Sequence, residues 1–558
     1  MAKDKKEFVD ELKSRFDYLR TERAKRQSDW KEVQELVAAS VYNWDNPHDK
    51  TPKRPQRFTS RPTNYLKTLR SGITGYSISP NIAWQKLGFE NMKHAESYGA
   101  KDWLEAVEKT LYAEFNRSNL YPQVAKFVEN AASYGHAVML IDEQLEDNRL
   151  RFTTLNINEL YMDINEFDEV DTVFRRYTMT LKNAASFFGK ENLTDTRQRE
   201  LEDKKNWNND IVILHAVYKR VEFTSESRAA WNMPYASMYI DEDQDHLIKE
   251  SGYGEFPYAV FIWDPVSGTA YGESPAIHAL DDIRLLNLID EARIKIAQLS
   301  AEPPMNIPDT LRDSPNVVPA GFNYYTVPGE VISPIQTGLN FPITLEVNRE
   351  IENRVRDWFH VDFFLALMRE KPANMTATYV MELQGEKAAT LSDLVVNLNN
   401  ALTKIIQRSF NILWRQRKLP MPPETMEGSG AQLKIDFMGP LAQAQKKYHE
   451  SAGIAGGMNL IGAVANISQV ALDVIDFDQT LKNGLTGMGF PQIAIREDRD
   501  VEEIRKQRAM QQAQAQQQAA AMEQQKALMG NYNKLNEPVQ AGSAIDELNK
   551  QMSGGMGQ

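Results

Sequence analysis

The sequence predicts an α+β protein in which helix predominates. Three observations carry that expectation. Between Tyr271 and Lys418, apolar residues recur at helical spacing over three long stretches. Between Ala137 and Ile240, short runs alternate or stay continuously apolar in the manner of strands. Prolines cluster where the long stretches break, at 303–342 and again at Pro420 and Pro422. The 558 residues, 42% hydrophobic and 25% charged, suffice for several domains and a large core.

In chain order, Asp4 to about Val41 reads as helical, with Phe8, Leu12, Phe16 and Leu19 on one stripe and Trp30, Val33 and Val37 on a second. Asn43 to Pro62 is polar and basic, with Lys50, Lys53, Arg54, Arg57 and Arg61 among prolines, and predicts an exposed arm. Contact with nucleic acid or a neighbouring subunit fits it, and so does a solvated loop. Trp103, Val107, Leu111 and Phe115 mark one amphipathic helix and Val124, Phe127, Val128 and Ala131 another. Ala137 to Ile141 then reads as a buried strand, Arg151 to Leu155 and Asp171 to Met179 as further strands, and Leu181 to Gly189 as a short helix. Ile211 to Phe223 and Ser237 to Ile240 read as sheet edges. Together these predict a mixed sheet with helices.

From Tyr271 the pattern becomes a helical hairpin. Ser274-Pro275 places a capping hydroxyl before a proline that needs no hydrogen bond, and Leu280, Ile283, Leu286 and Ile289 follow at helical spacing to about Ser300. Pro303-Pro304 ends this helix, because the residue before proline is pushed out of the α region. The insert from Pro303 to Pro342 suits short strands and turns. The returning helix, about Thr344 to Arg369, aligns Val347, Ile351, Val355, Trp358, Phe359 and Phe363 on one stripe. Lys371-Pro372-Ala373-Asn374-Met375 breaks the path, and a third, longer helix runs from Thr376 or Thr378 to about Lys418.

Beyond it, Gln432 to Phe437 reads as a strand, Ala442 to Gly489 as mostly helical, and Arg496 to Ala527 as one long exposed Gln- and Ala-rich helix with oligomeric potential. The tail from Gly530 is expected to be disordered. Ser451 to Leu472 carries no charge, but its asparagines, Gln469 and glycines argue against a membrane span and for closely packed helix.

The chemistry-bearing patterns are thin. The chain has no cysteine, which removes disulfides and thiolate metal sites and points to a reducing compartment, and the charged N-terminus lacks a secretory apolar region. Its eight histidines form no HExxH pair. There is no P-loop and no GxSxG elbow. Gly252-Tyr253-Gly254-Glu255-Phe256-Pro257 puts Pro where a dinucleotide fingerprint needs Gly. Asp241 to Asp245 starts like a calcium loop but has His246 at position six and Gly252 at position twelve, which leaves a solvated hairpin tip as the expectation. No metal, no cofactor and no enzymatic activity are expected. The net charge of −13 excludes a protein that grips nucleic acid over its whole surface, so DNA contact would be local.

One resemblance does emerge. Gly252-Tyr253, Phe256-Pro257, Trp263, Tyr271-Gly272, Ser274-Pro275, Ala279-Leu280, Asp282-Ile283 and Leu286-Asn287 look like the signature of podovirus portal proteins, the head-to-tail connecting proteins. Ser118 to Tyr121, Tyr134-Gly135, the Asp171 to Arg176 strand ending in Met179-Thr180, Met375 to Thr378 with Glu386, Pro420 with Pro422, Asp476, and Gly489 with Pro491 agree in order. The resemblance implies a portal fold with wing, stem, clip and helical crown, assembled as a homo-dodecamer ring at one capsid vertex of the virion, with assembly in the host cytoplasm. It implies these boundaries: 1–270 as N-terminal helices and α/β wing, 271–302 and 343–370 as stem, 303–342 as clip, 371–375 as tunnel loop, 376–441 as long wing helix and strand, 442–494 as crown, 495–530 as barrel-type helix and 531–558 as tail.

The partners implied are double-stranded DNA in the channel, the terminase large subunit, tail adaptor and nozzle proteins, the major capsid protein and a scaffolding protein. Lys371, Pro372, Ala373, Asn374 and Met375 would face DNA, with Arg293 and Lys295 as lumen candidates of the stem. Phe322, Tyr324, Tyr325, Val327 and Pro328 would form the clip docking surface. Pairing of Arg293 and Lys295 with Asp290 and Glu291 is the competing reading of those two cations. A structural or scaffolding protein that oligomerises through its Gln-rich helix without binding DNA is the alternative for the whole chain.

Overall fold

The computed structural model describes residues 5–38, 44, 57–89, 99–144, 147–221, 229–309, 316, 324, 329, 331–334, 341–368, 391–423, 433–439 and 498–535. The chain forms two compact units, Met1–Ala463 and Val464–Gln558.

The N-terminal stretch is helical over 5–38, as expected, and divides into segments. Lys5–Ala24 is followed, after a turn at Lys25-Arg26, by Gln27–Val33 and a wider turn over Gln34–Ala38. The two stripes explain the break, because they serve different cores. Val9, Leu12, Phe16 and Leu19 pack with Phe174, Leu214, Met238 and Ile240, whereas Trp30, Val33 and Val37 enter the main core. Helix Arg61–Ser77 comes next, with Pro62 in its first turn and Leu66, Leu69 and Ile73 buried. Arg61 therefore leaves the predicted basic arm and becomes a helix residue; residues 45–56 lie outside the described residues.

Strand β1, Gln85–Phe89, precedes helices Ala100–Arg117 and Leu120–Tyr134, both on the predicted stripes. Strands β2 (His136–Gln144), β3 (Arg149–Thr154), β4 (Leu160–Ile164), β5 (Val170–Thr180), β6 (Asp210–Lys219), β7 (Tyr235–Asp241), β8 (His246–Tyr253) and β9 (Tyr258–Ile262) follow, with helices Leu181–Phe188 and Asp195–Glu202 between β5 and β6. They build two sheets rather than one mixed sheet. One has the order β3-β2-β9 and the other β4-β5-β6-β7-β8, and every pairing within them is antiparallel. The strands read as edges, β6 and β7, are interior. The unbroken burial of Ile211 to Val217 is the reason, since an interior strand covered on both faces loses its polar alternation.

The acidic stretch is the β7–β8 turn, with Asp243, Gln244 and Asp245 exposed at its tip as expected, but its carboxylates are also held by cations. Arg197 pairs with buried Asp241 and with Asp243, each at 2.9 Å, Arg176 pairs with Glu242 at 2.7 Å, and Lys13 reaches Asp245. Helices Leu120–Tyr134 and Ser392–Arg415 pack on the three-stranded sheet, and the Arg408 Nε donates to the Ile141 carbonyl at 2.8 Å. Strands β10 (Met305–Asn306) and β11 (Ser333–Pro334) pair antiparallel at the base of the Pro-rich insert, in line with the short strands expected there. Strand β12, Leu433–Phe437, returns to pair with β1. The stretch 442–489 lies outside the described residues. In the second unit the described element is helix Asp498–Leu535. Among the described residues, no helix is long and apolar enough to cross a membrane.

Candidate functional site

Two glycines found in the sequence signature set the root of the hairpin. Gly135 ends its helix at φ +83°, and a Cβ there would lie 2.0 Å from the Gly272 carbonyl oxygen. Gly272 is equally confined, since its own Cβ would come within 2.7 Å of the Asp264 carbonyl oxygen. The Tyr134-Gly135 and Tyr271-Gly272 pairs thus meet backbone to backbone. Beside them the Ser274 Oγ donates to the Ser133 carbonyl at 2.9 Å and accepts from the Ile277 N–H at 3.0 Å, so the predicted cap is real.

The helix it starts, Pro275–His278, ends after one turn, and a step at Ala279 leads into the outgoing helix Leu280–Ala301. That helix stops just before Pro303, as expected. The returning helix is Phe341–Trp358 and then turns at His360, φ +48°, into Val361–Met368. A single helix to Arg369 was expected. The turn is needed because Phe359, Phe363 and Phe364 are all buried, and Phe364 lies where a Cβ on Gly72 would intrude, so the last segment is redirected onto helix Arg61–Ser77.

A polar network pins the hairpin to that same helix. Arg61 donates to both Asp290 oxygens at 3.1 and 3.2 Å, to Glu352 at 2.9 Å and to Asn348 at 3.3 Å. Asn348 in turn donates to Asp290 at 3.3 Å, and the Tyr65 hydroxyl donates to Glu352 at 2.6 Å. Burial, with Glu352 beside it, pushes the Tyr65 pKa up, so the phenol stays a donor. Asp290 is 8% exposed, and a carboxylate so placed needs this bidentate cation. Ile283, Leu286, Ile351 and Val355, all buried on the two contacting helices, complete the seam.

The network defines two flanks. On the front, Arg61 and Phe58 lie against the pair, the Phe58 N–H donating to Asn287 at 2.8 Å. A cavity of 310 Å³ opens there, lined by Phe58, Asp290, Arg293, Ile294 and Ala297. On the back, Arg354 bridges to Asp282 at 2.7 Å and Trp358 stacks on His278 with ring centroids 5.0 Å apart. Leu285, Val347 and Trp358 remain exposed on that side, Val347 at 43%.

Of the predicted site residues, Arg293, Lys295 and Tyr324 fall within the described residues. Arg293 approaches Asp290 at 3.4 Å and Lys295 pairs with Glu291 at 2.6 Å, so both have the carboxylate partners of the competing reading. Tyr324 is 84% exposed. Phe322, Tyr325, Val327 and Pro328 lie outside the described residues, as do Lys371, Pro372, Ala373, Asn374 and Met375. Sequence reasoning missed Arg61, Tyr65 and their helix. The signal was present in Ser60 followed by Pro62, with Tyr65, Leu66, Leu69 and Ile73 at helical spacing. Among the described residues no cluster of three or more carboxylates and histidines is arranged to hold a metal ion.

The scale of the match to known proteins decides the family. Residues 9–495 match the sequence model of the bacteriophage head to tail connecting protein family. The chain belongs to that family. This connector is 27% identical over 510 residues to the "Probable portal protein" of Bordetella phage BPP-1, which covers 90% of the chain and 91% of that relative. It is 26% identical over 458 residues to the "Portal protein" of Salmonella phage epsilon15, covering 80% of the chain and 81% of that relative. The root glycines, the hairpin and its polar network all fall inside the matched span of the connector.

Proposed function

We propose that this connector is a phage portal subunit, one of a ring at a single capsid vertex through which DNA is packaged and later ejected. The observation that carries the reading is the hairpin. It is fixed at its root by back-to-back glycines and the Arg61 network, yet its flanks leave large apolar side chains in water, as expected of a subunit completed by neighbours. Similarity to two proteins named as portal proteins supports the same role. The role is structural rather than enzymatic.

In this reading 271–302 and 343–370 are the stem, 303–342 the clip and 371–375 the tunnel loop, while 1–270 and 376–441 make the wing, 442–494 the crown and 495–530 a barrel helix. The ring is a dodecamer. The clip, with Tyr324 and its neighbours, receives the terminase large subunit during packaging and tail adaptor and nozzle proteins afterwards, and the wing meets the major capsid and scaffolding proteins. A net charge of −13 suits a conduit, because many fixed cation–phosphate contacts would hold DNA still. Lys371 supplies a few weak backbone contacts; Arg293 and Lys295, already paired with carboxylates, supply less.

Negative-stain electron microscopy of the purified chain tests the assembly, with rings around an open hole expected; monomers or filaments would sink it. Lys371→Ala particles that package and retain DNA as the parent does would remove that lysine from the mechanism.

A further inference from the structure

We infer that neighbouring copies join through a keyed contact in which the back flank of one hairpin seats on the front flank of the next; this rests on the ring assembly proposed above. A closed ring uses a heterologous interface, so each copy must carry two different and complementary faces. The hairpin has them. Its back flank presents an apolar ridge, Leu285, Val347 and Trp358, edged by two carboxylates, Asp282 and Glu350, that share the single cation Arg354 at 2.7 and 3.2 Å and so leave the edge net negative. Its front flank presents the 310 Å³ cavity floored by Phe58 and Ile294, edged by the exposed cation Arg349.

Position on the helix separates these groups. Asn348 and Glu352 face Arg61 on the front, while Arg354 faces Asp282 on the back. Counting round from those markers at about 100° per residue puts Arg349 with the front and Val347 and Glu350 with the back. Arg349 and Glu350 are consecutive, so their side chains diverge and cannot satisfy each other within one chain. Both stand at the level of the Asp290–Asn348 hydrogen bond, as does Val347, which is small enough to enter the cavity beside Ile294 of the next copy. Charge and shape therefore match between opposite flanks, whereas two back flanks, each with two carboxylates to one arginine, would oppose like net charge. The occupant of the apolar ridge is a second copy of this chain.

Charge reversal tests the register. Glu350→Arg alone and Arg349→Glu alone are each expected to weaken the contact by roughly tenfold, about 1.4 kcal/mol per contact, and because every contact of the ring is affected, to deplete rings strongly at fixed concentration. The double variant E350R/R349E on one chain is expected to restore rings, because the swapped charges meet again across the contact. Val347→Asp should abolish rings and leave folded monomers with unchanged far-UV circular dichroism. The inference is overturned if either single reversal assembles as well as the parent, or if the double variant stays monomeric while folded. Absence of rings from the parent chain would instead remove the ring reading itself, and with it this contact.

Discussion

Helix Leu120–Tyr134 and the outgoing helix Leu280–Ala301 make an instructive pair. The first buries Leu120, Val124, Phe127, Val128, Ala131 and Ala132 against the three-stranded sheet and its neighbours, so its apolar stripe is satisfied within the chain. The second buries only Leu280, Ile283, Leu286 and Asp290, all in its first half, and leaves Leu285, Leu288, Ile294 and Leu299 exposed. The body is a finished core; the hairpin is a half-finished one. Where hydrophobic surface is left over on a rigid, pinned element, it marks an interface rather than poor packing.

That contrast can be broken at several points, most forcefully in the body. Phe364→Ala, which empties a fully buried site at the root of the hairpin, is expected to cost about 3–5 kcal/mol in chemical denaturation of the unassembled chain. A loss below roughly 1 kcal/mol would mean that the root is loosely packed and the division between body and hairpin is wrong. Next comes Arg61→Ala. It strands Asp290 and Glu352 and should cost about 2–3 kcal/mol, less than a fully buried pair because the Arg61 side chain is 28% exposed. Arg61→Lys should recover only part, since an ammonium cannot bridge both carboxylates as the planar fork does.

Acid should separate the two regions as well. Burial pushes the His136 and His215 pKa values down to about 3, with nearby arginine charge adding to the shift in each. An unfolded histidine takes its proton near pH 6.5, so below that pH the unfolded state binds more protons than the folded one. Stability is then complete above pH 6.5 and is lost as pH falls toward 3. Each histidine should remove about 2 kcal/mol between pH 6.5 and 5. Thermal melts across that range should show the loss, and His215→Asn should flatten the profile; an unchanged slope would exclude His215 as its source. The smallest effect is expected for Arg354→Ala. Its ion pair with Asp282 is exposed to water, and the melting temperature of the monomer should not move measurably, although ring assembly can still respond.

Much of this architecture was legible in advance where a residue's local role and its tertiary role coincide. Trp103 to Phe115 and Val124 to Ala131 form the helices their spacing demands, Ser274 caps as its chemistry allows, and Pro303-Pro304 ends the outgoing helix. Breaks are hidden where one continuous pattern serves two surroundings. Residues 5–38 carry uninterrupted helical periodicity, but the two stripes belong to separate cores, so the chain turns at Lys25-Arg26. The returning helix likewise reads through His360 until Phe363 and Phe364 need to reach helix Arg61–Ser77. The site was least legible, because Arg61 lies 229 residues from Asp290 and 291 from Glu352. A basic residue near prolines announces a loop unless its distant carboxylates are known.

By itself, then, the sequence determined the order of helices and strands, the lack of cysteine, the acidic balance and the family, since these depend on residue type, spacing and order along the chain. The tertiary structure alone decided that the strands form two antiparallel sheets, that the acidic turn is clamped by Arg197, and which face of the hairpin is pinned and which is left bare. Those outcomes depend on which distant groups compete for the same buried space and charge. Local pattern carries no record of that competition until the chain has folded.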